Sequence, residues 1–368
     1  MTSLVRNPGF EDVVRDGDPY LFHPVEGTLV KLDARVARAL EPGAADTSAL
    51  EGLRLLVPEE LAALLARGVA TRSTTPLGPS WHRARPVAGW VAVGCPVSWH
   101  SLPLADPAAG TALVRTALAR RINGSGPTYW SWGAGRHIPR DALIAADYGD
   151  LIHDPSIDSA ADSQERLRFA VRQVLADGAR PLVLGGDHSV AYPTVSAVLD
   201  HHQNTRVVHL DAHADRAPIR RERPPHCGNF LSHLLDNYPN LEVLTIGVRG
   251  SDSGFPHDSG EKVAYLRAED VGTRAANERI RAFVAHRTVH LTIDVDVVDP
   301  SEAPEVAYPV PGGPTMAQVA GLVRHVASCA SIVGMDLSEV CPAPGLPNRA
   351  ATCLAQLATD ILEGTLEF

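Results

Sequence analysis

The sequence predicts an α/β fold built on a central parallel sheet, with a small α+β module ahead of it. Three observations carry that prediction. From about Pro86 onward, short apolar runs alternate with stretches of helical character, the pattern of a sheet buried on both faces. The 368 residues are 45% hydrophobic and 21% charged, ordinary values for a globular chain with room for more than one domain. Residues 1–80 break the alternation, with strand candidates set close around turn residues.

The elements follow in order. Tyr20–His23 and Thr28–Leu32 flank the turn-like Val25-Glu26-Gly27 and read as a β pair. Asp33 suits the N-cap of a short helix over Ala34–Leu40. Val57–Arg67 reads as an amphipathic helix that Gly68 would stop. The turn-rich Ser73–Ser80 follows. These boundaries place an accessory module at residues 1–72, a linker at 73–85 and the main domain at 86–368. In the main domain the strand candidates are Val91–Gly94, Pro181–Leu184, Arg206–Leu210, Leu241–Ile246, Val289–Ile293 and Ser331–Met335. Helix candidates between them include Ser163–Asp177, Ala191–His201, Ala276–His286 and Met316–Ala330.

Composition excludes several functions. A net charge of −10 opposes nucleic-acid binding. No run of 18 apolar residues is present, so no spanning helix is expected and a membrane partner is not. Glu11 and Asp12 stand where a signal peptide needs its apolar core, which points to a cytoplasmic protein. The five cysteines are odd in number and form no CxxC pair, which argues for reduced thiols over disulfides or a thiolate zinc site.

Three strand candidates run directly into metal-ligand residue types. Pro181–Leu184 leads to Gly185-Gly186-Asp187-His188-Ser189, Arg206–Leu210 to Asp211-Ala212-His213-Ala214-Asp215, and Val289–Ile293 to Asp294-Val295-Asp296. Sites in open α/β sheets form at the carboxyl ends of strands. In extended backbone, alternate residues share a face, so Asp211, His213 and Asp215 can converge, as can Asp294 and Asp296. A lone Asp-x-Asp after a strand is usually a turn or a helix cap, and a lone histidine is usually a satisfied core residue, the expectation for His209. Three clusters at three strand ends change that reading. Two imidazoles and four carboxylates would repel without cations. Hard oxygens with some nitrogen suit Mn²⁺, and six side chains suffice for two ions that activate water.

The motifs GGDHS, DAHAD and DVDVVDP resemble the metal signatures of the ureohydrolases, the family of arginase and agmatinase, over roughly Val91–Leu362. The resemblance implies a three-layer α/β/α domain, commonly a trimer or hexamer, with two Mn²⁺ ions as cofactor. It implies one ion on His188, Asp211, Asp215 and Asp294, and the other on Asp211, His213, Asp294 and Asp296. Glu339, in Asp336-Leu337-Ser338-Glu339, matches the position of the guanidinium-binding glutamate; a carboxylate suits a planar guanidinium. His226 lies near the position of a proton-shuttling histidine, with Cys227 intervening before Gly228. Asp215 or His226 would protonate the leaving amine, and Asn229 and Arg216 are read as further substrate contacts. The family's glycine- and threonine-containing loop is replaced by Ala303-Pro304-Glu305-Val306-Ala307-Tyr308-Pro309.

The implied reaction is hydrolysis of a guanidino group to urea and an amine. A formimino-type amidine hydrolase and a catalytically silent binding subunit are the alternatives. Arg216, Arg220, Arg221 and Arg223 suggest an anionic or carbonyl-rich group beyond the guanidino arm. Residues 1–72 loosely resemble winged-helix modules that bind leader peptides. On that reading the substrate is an arginine-containing peptide, converted to peptidyl ornithine; otherwise it is a guanidino small molecule.

Overall fold

A computed structural model describes residues 75–79, 88–99, 106–151, 153, 159–220, 223–251, 262–343 and 347–366, together with five strands nearer the N-terminus. The chain divides into two compact units, Met1–Thr71 and Arg72–Phe368.

In the first unit, β1 (Leu4–Arg6) pairs antiparallel with β5 (Leu56–Pro58). Strands β2 (Glu11–Arg15), β3 (Asp18–His23) and β4 (Thr28–Lys31) form an antiparallel sheet in that order. The expected β pair is therefore two thirds of a three-stranded sheet, with Tyr20 opposite Lys31 and His23 opposite Thr28. Val57 and Pro58 correct the start of the expected Val57–Arg67 helix, because strand pairing to Val5 and Leu4 claims these two residues. Its remainder lies outside the described residues, as does the Ala34–Leu40 helix.

The second unit holds eight parallel strands: β6 (Trp90–Cys95), β9 (Ala146–Asp150), β10 (Arg180–Gly185), β11 (Arg206–Leu210), β12 (Val243–Val248), β13 (Val263–Arg267), β14 (Thr288–Asp294) and β15 (Ser331–Ser338). Their order is β13-β12-β11-β14-β15-β10-β6-β9. A short hairpin, β7 (Thr128–Ser131) and β8 (Arg136–Pro139), precedes β9. The helices are α1 (Pro107–Ile122), α2 (Ala160–Ala176), α3 (Ala191–His201), α4 (Phe230–Asn237), α5 (Arg274–Val284), α6 (Met316–Cys329) and α7 (Arg349–Gly364).

Alternation along the strands sorts two cores. Val208, Leu210, Leu244 and Ile246 pack with residues of α1, α5, α6 and α7, whereas Val207 and Val243 pack with α3 and α4. The sheet is thus covered on both faces, the three-layer arrangement expected. Leu77, in the stretch read as linker, belongs to the first of these cores, and its amide donates to Asp147 Oδ2 at 2.9 Å. Among the described residues no helix is long and apolar enough to cross a membrane.

The register positions the site. Leu210 lies opposite Ile293, Ile293 opposite Leu337, and Leu337 opposite Leu184. Four central strands, β11-β14-β15-β10, therefore end level with one another. The residues that follow them meet at one edge of the sheet, where an open α/β fold presents its crevice.

Candidate metal centre

The glycine pair at the end of β10 lets two backbones touch. A Cβ on Gly186 would lie 1.9 Å from the Val97 carbonyl oxygen, so only glycine fits there. The Gly186 amide donates to Cys95 O at 3.0 Å. Asp187 then caps the turn that starts at His188, and its Oδ2 accepts the Trp99 amide at 2.6 Å.

The aspartates converge through turns, which corrects the extended-backbone expectation. Asp211 Oδ1 accepts the His213 amide at 2.6 Å, and Asp294 Oδ1 accepts the Asp296 amide at 2.8 Å. Each first aspartate folds the chain back on itself, as short acceptor side chains do in turns. Asp215 sits at φ +49° and Glu339 at φ +69°, left-handed conformations that cost energy for residues with a Cβ and that recur at functional sites.

The result is two adjoining clusters. Donor atoms of His188, His209, Asp211 and Asp215 lie within 4.8 Å of one another, as do those of Asp211, His213 and Asp296. Asp211 straddles both: its Oδ2 lies 3.1 Å from His188 Nδ1 and its Oδ1 3.3 Å from His213 Nδ1. His188 Nδ1 also faces Asp215 Oδ2 at 3.2 Å and Asp294 Oδ2 at 3.6 Å, and His213 Nδ1 faces Asp296 Oδ2 at 2.9 Å. Five of the six expected ligands line one cavity, and Asp211 lies fully buried in contact with them.

Behind His188 runs a buried chain that sequence reading missed. Thr292 Oγ1 donates to Asp336 Oδ1 at 2.7 Å, and His188 Nε2 lies 2.8 Å from the same hydroxyl. A hydroxyl has one proton to give, so His188 Nε2–H must be the donor to Thr292. Asp336 Oδ2 accepts from His290 Nε2 at 2.7 Å. This fixes the His188 tautomer with the Nδ1 lone pair aimed at three carboxylates, a repulsive arrangement unless positive charge lies between. In the protein alone a proton supplies it: burial opposes the charge, but Asp211 and Asp215 hold His188 well above the ordinary imidazole range. His209, expected as an ordinary core residue, is fully buried but also touches the centre, its Nε2 2.9 Å from Asp211 Oδ2. Its signal was its position two residues before Asp211.

The charge balance tests the fit to cations. Burial, then Asp296 and Asp211, push the Asp294 carboxyl well up. Burial and Asp211 push Asp215 up to about 6 and also raise Asp296. Burial opposes charge on His213, yet the hydrogen bonds it donates to Asp211 and Asp296 hold it up to about 11. The centre carries more buried negative charge than its own side chains neutralise. Imidazole with hard carboxylate oxygen is a donor set for divalent first-row metals, and the residues present fit two such ions.

A cavity of about 480 Å³ opens beside the clusters. Glu339 enters it almost wholly buried; its Oε1 accepts the His188 amide at 2.7 Å, and its Oε2 has no hydrogen-bond partner. Burial, then Asp187, push its carboxyl up. His226 lines the cavity and accepts the Gly228 amide at Nδ1, 3.2 Å away, which leaves its neutral-form proton on Nε2. Cys227 lines it too, but burial and then Glu339 push its thiol up, away from a thiolate nucleophile. Asn229 Oδ1 accepts the His226 amide at 2.9 Å and so shapes the wall. Arg216 is not brought to the cavity: its guanidinium reaches the Tyr265 hydroxyl at 3.4 Å. The altered loop is pinned by Glu305, whose Oε2 accepts the Ala350 amide at 2.9 Å, and it carries Tyr308 to the cavity with its ring 6.4 Å from that of His213.

A family model described as the Arginase family matches residues 88–363. An agmatinase of Photorhabdus laumondii is 30% identical over 283 residues, 75% of this chain and 86% of that protein. Among solved structures, a hypothetical agmatinase from Burkholderia thailandensis matches with a TM-score of 0.67 and 25% identity, covering 80% of this chain and 96% of the other. The proclavaminate amidino hydrolase of Streptomyces clavuligerus matches with a TM-score of 0.64 and 27% identity, over 75% and 91%.

Proposed function

The chain belongs to the arginase family of metal-dependent hydrolases acting on guanidino carbon–nitrogen bonds, and on that premise we propose that it is a dinuclear manganese amidinohydrolase releasing urea and an amine. The observation that carries this reading is the unpartnered, buried Glu339 Oε2 in the cavity that the two donor clusters also line. His188, Asp211, Asp215 and Asp294 would hold one ion, and Asp211, His213, Asp294 and Asp296 the other. When bound, such a pair acts as a Lewis acid and brings a water within reach of deprotonation at neutral pH.

The chain's own residues do the rest. Glu339 accepts guanidinium N–H groups on the oxygen its backbone partner leaves open, which orients the carbon to be attacked. Burial around it strengthens that pairing. Asp215 lines the cavity beside His188, placed to take a proton and pass it on. His226 keeps its proton on Nε2, and the leaving amine takes its proton from one of these two groups.

The test is urea release by the manganese-loaded full chain from guanidino compounds. Urea with an equimolar amine supports the reading. Formamide in place of urea assigns the formimino reaction, and bound metal with no product from any guanidino or formimino compound assigns a silent subunit.

A further inference from the structure

Beside the metal cavity lies a second space of about 400 Å³, lined by Ala217, Pro218, Arg220, Arg223, His226 and Asn229. Ala217 and His226 line both, so the two spaces adjoin at the His226 imidazole. Each alone is in the size range that encloses a small ligand. A guanidino arm seated on Glu339 uses the first, and whatever the arm is attached to has the second within reach.

The chemistry of the second space is one-sided. Its lining holds two arginines, a histidine and an asparagine, and among the described residues no aspartate or glutamate. The two arginines are set on one turn, in which the Arg223 amide donates to the Arg220 carbonyl at 2.9 Å. Among the described residues neither guanidinium has an ionic or hydrogen-bonding partner. In a chain of net charge −10, two exposed arginines without an ionic partner among the described residues give this one cavity a local positive charge. Guanidinium offers only donors. It repels an ammonium group and rewards carboxylate or carbonyl oxygens.

We propose that the second cavity holds the far end of the substrate, and that this end is an oxygen acceptor bound by Arg220 and Arg223 rather than an amine. The proposal rests on the guanidino-hydrolase reading and narrows its substrate class. Agmatine, with an ammonium at that end, is then a poor substrate, although the curated relatives matched here are named agmatinase. Two sources offer the required oxygens: the free carboxylate of a guanidino acid, and the backbone carbonyls around an arginine within a peptide.

Three substrates of similar arm length separate these outcomes in the manganese-loaded full chain. They are agmatine, 5-guanidinopentanoate, and arginine blocked as its Nα-acetyl N-methylamide. At least one acceptor-bearing compound is expected to exceed agmatine in kcat/KM by about tenfold or more, the scale of one avoided like-charge contact. Preference for the acid identifies a carboxylate tail, and preference for the blocked arginine identifies a peptide. Arg220→Glu combined with Arg223→Glu should lower the acceptor-to-agmatine ratio by about a hundredfold, mostly through KM. Arg220→Gln with Arg223→Gln, which keeps the side-chain bulk, should erase most of the preference. Metal content and Tm of both variants check that they fold. Wild-type preference for agmatine, or an equal effect of the variants on all three substrates, overturns the proposal while leaving the hydrolase reading intact. No urea from any of the three by the metal-loaded wild type overturns that reading and this proposal with it.

Discussion

Glu339, at a left-handed φ just past the end of β15, reaches the cavity with one oxygen committed to the His188 amide and the other open. Glu339→Gln keeps an oxygen for the amide but loses the charge, so it is expected to lower kcat/KM by roughly 10²–10³-fold, the cost of a broken buried charge pair. Metal content should stay unchanged. Measuring both in the same preparation checks this, and a parallel loss of metal would reassign Glu339 to the metal centre. The chain His188–Thr292–Asp336–His290 makes a second residue-scale prediction. Asp336→Asn should weaken manganese binding by about 10–100-fold, the usual effect of losing the group that orients a histidine ligand, as read by equilibrium dialysis. A third concerns pH. With His213 held up to about 11 in the metal-free protein, its Nδ1 carries a proton near neutrality that a metal must displace. Metal uptake therefore releases protons, and apparent affinity climbs as pH rises toward that value, about tenfold per unit for each proton released. Calorimetry in two buffers of different ionisation enthalpy counts those protons; an affinity flat with pH would contradict the placement of His213.

At the scale of elements, the edge of the sheet depends on one buried cation. Arg115 in α1 donates to Asp147 at 2.6 Å and to Asp150 at 2.7 Å, both in β9. Arg115→Ala leaves Asp147 buried without its partner, and a stability loss of about 3–5 kcal/mol is expected by denaturant titration. The same pair explains a limit of sequence reading. Residues 146–150 are Ala-Asp-Tyr-Gly-Asp, too polar to be read as a buried strand until Arg115, 32 residues earlier, is seen to neutralise it. Strand β11 and helix α3 were legible to the residue, because an apolar run or a 3.6-residue period needed no distant partner. The ligand motifs were legible for a related reason: each directly follows a central strand. What sequence could not show was how they converge. The turns that Asp211 and Asp294 close by accepting amides, and the Thr292–Asp336 chain crossing from β14 to β15, depend on which strands are neighbours. The tie of Arg216 to Tyr265 on β13 is of the same kind, and it removes that arginine from the expected substrate contacts.

At the scale of the whole molecule, residues 1–71 form a unit of their own, with β2-β3-β4 as its antiparallel sheet. A peptide could add a strand to such a sheet, and tethering would raise the concentration of its arginine at the metal centre. If the unit recruits peptides, deleting residues 1–72 should abolish turnover of a long arginine-containing peptide and leave free guanidino compounds as substrates; equal rates on all would remove it from recognition. The trimer or hexamer that the family resemblance implies is read by light scattering. The central claim, a dinuclear metal site that hydrolyses guanidines, is tested most directly by titrating the metal-stripped full chain with manganese while urea release is followed. Urea formation should be absent at the start and rise to a plateau at two equivalents per chain. Full turnover by the stripped protein, or a plateau reached at one equivalent, would contradict it.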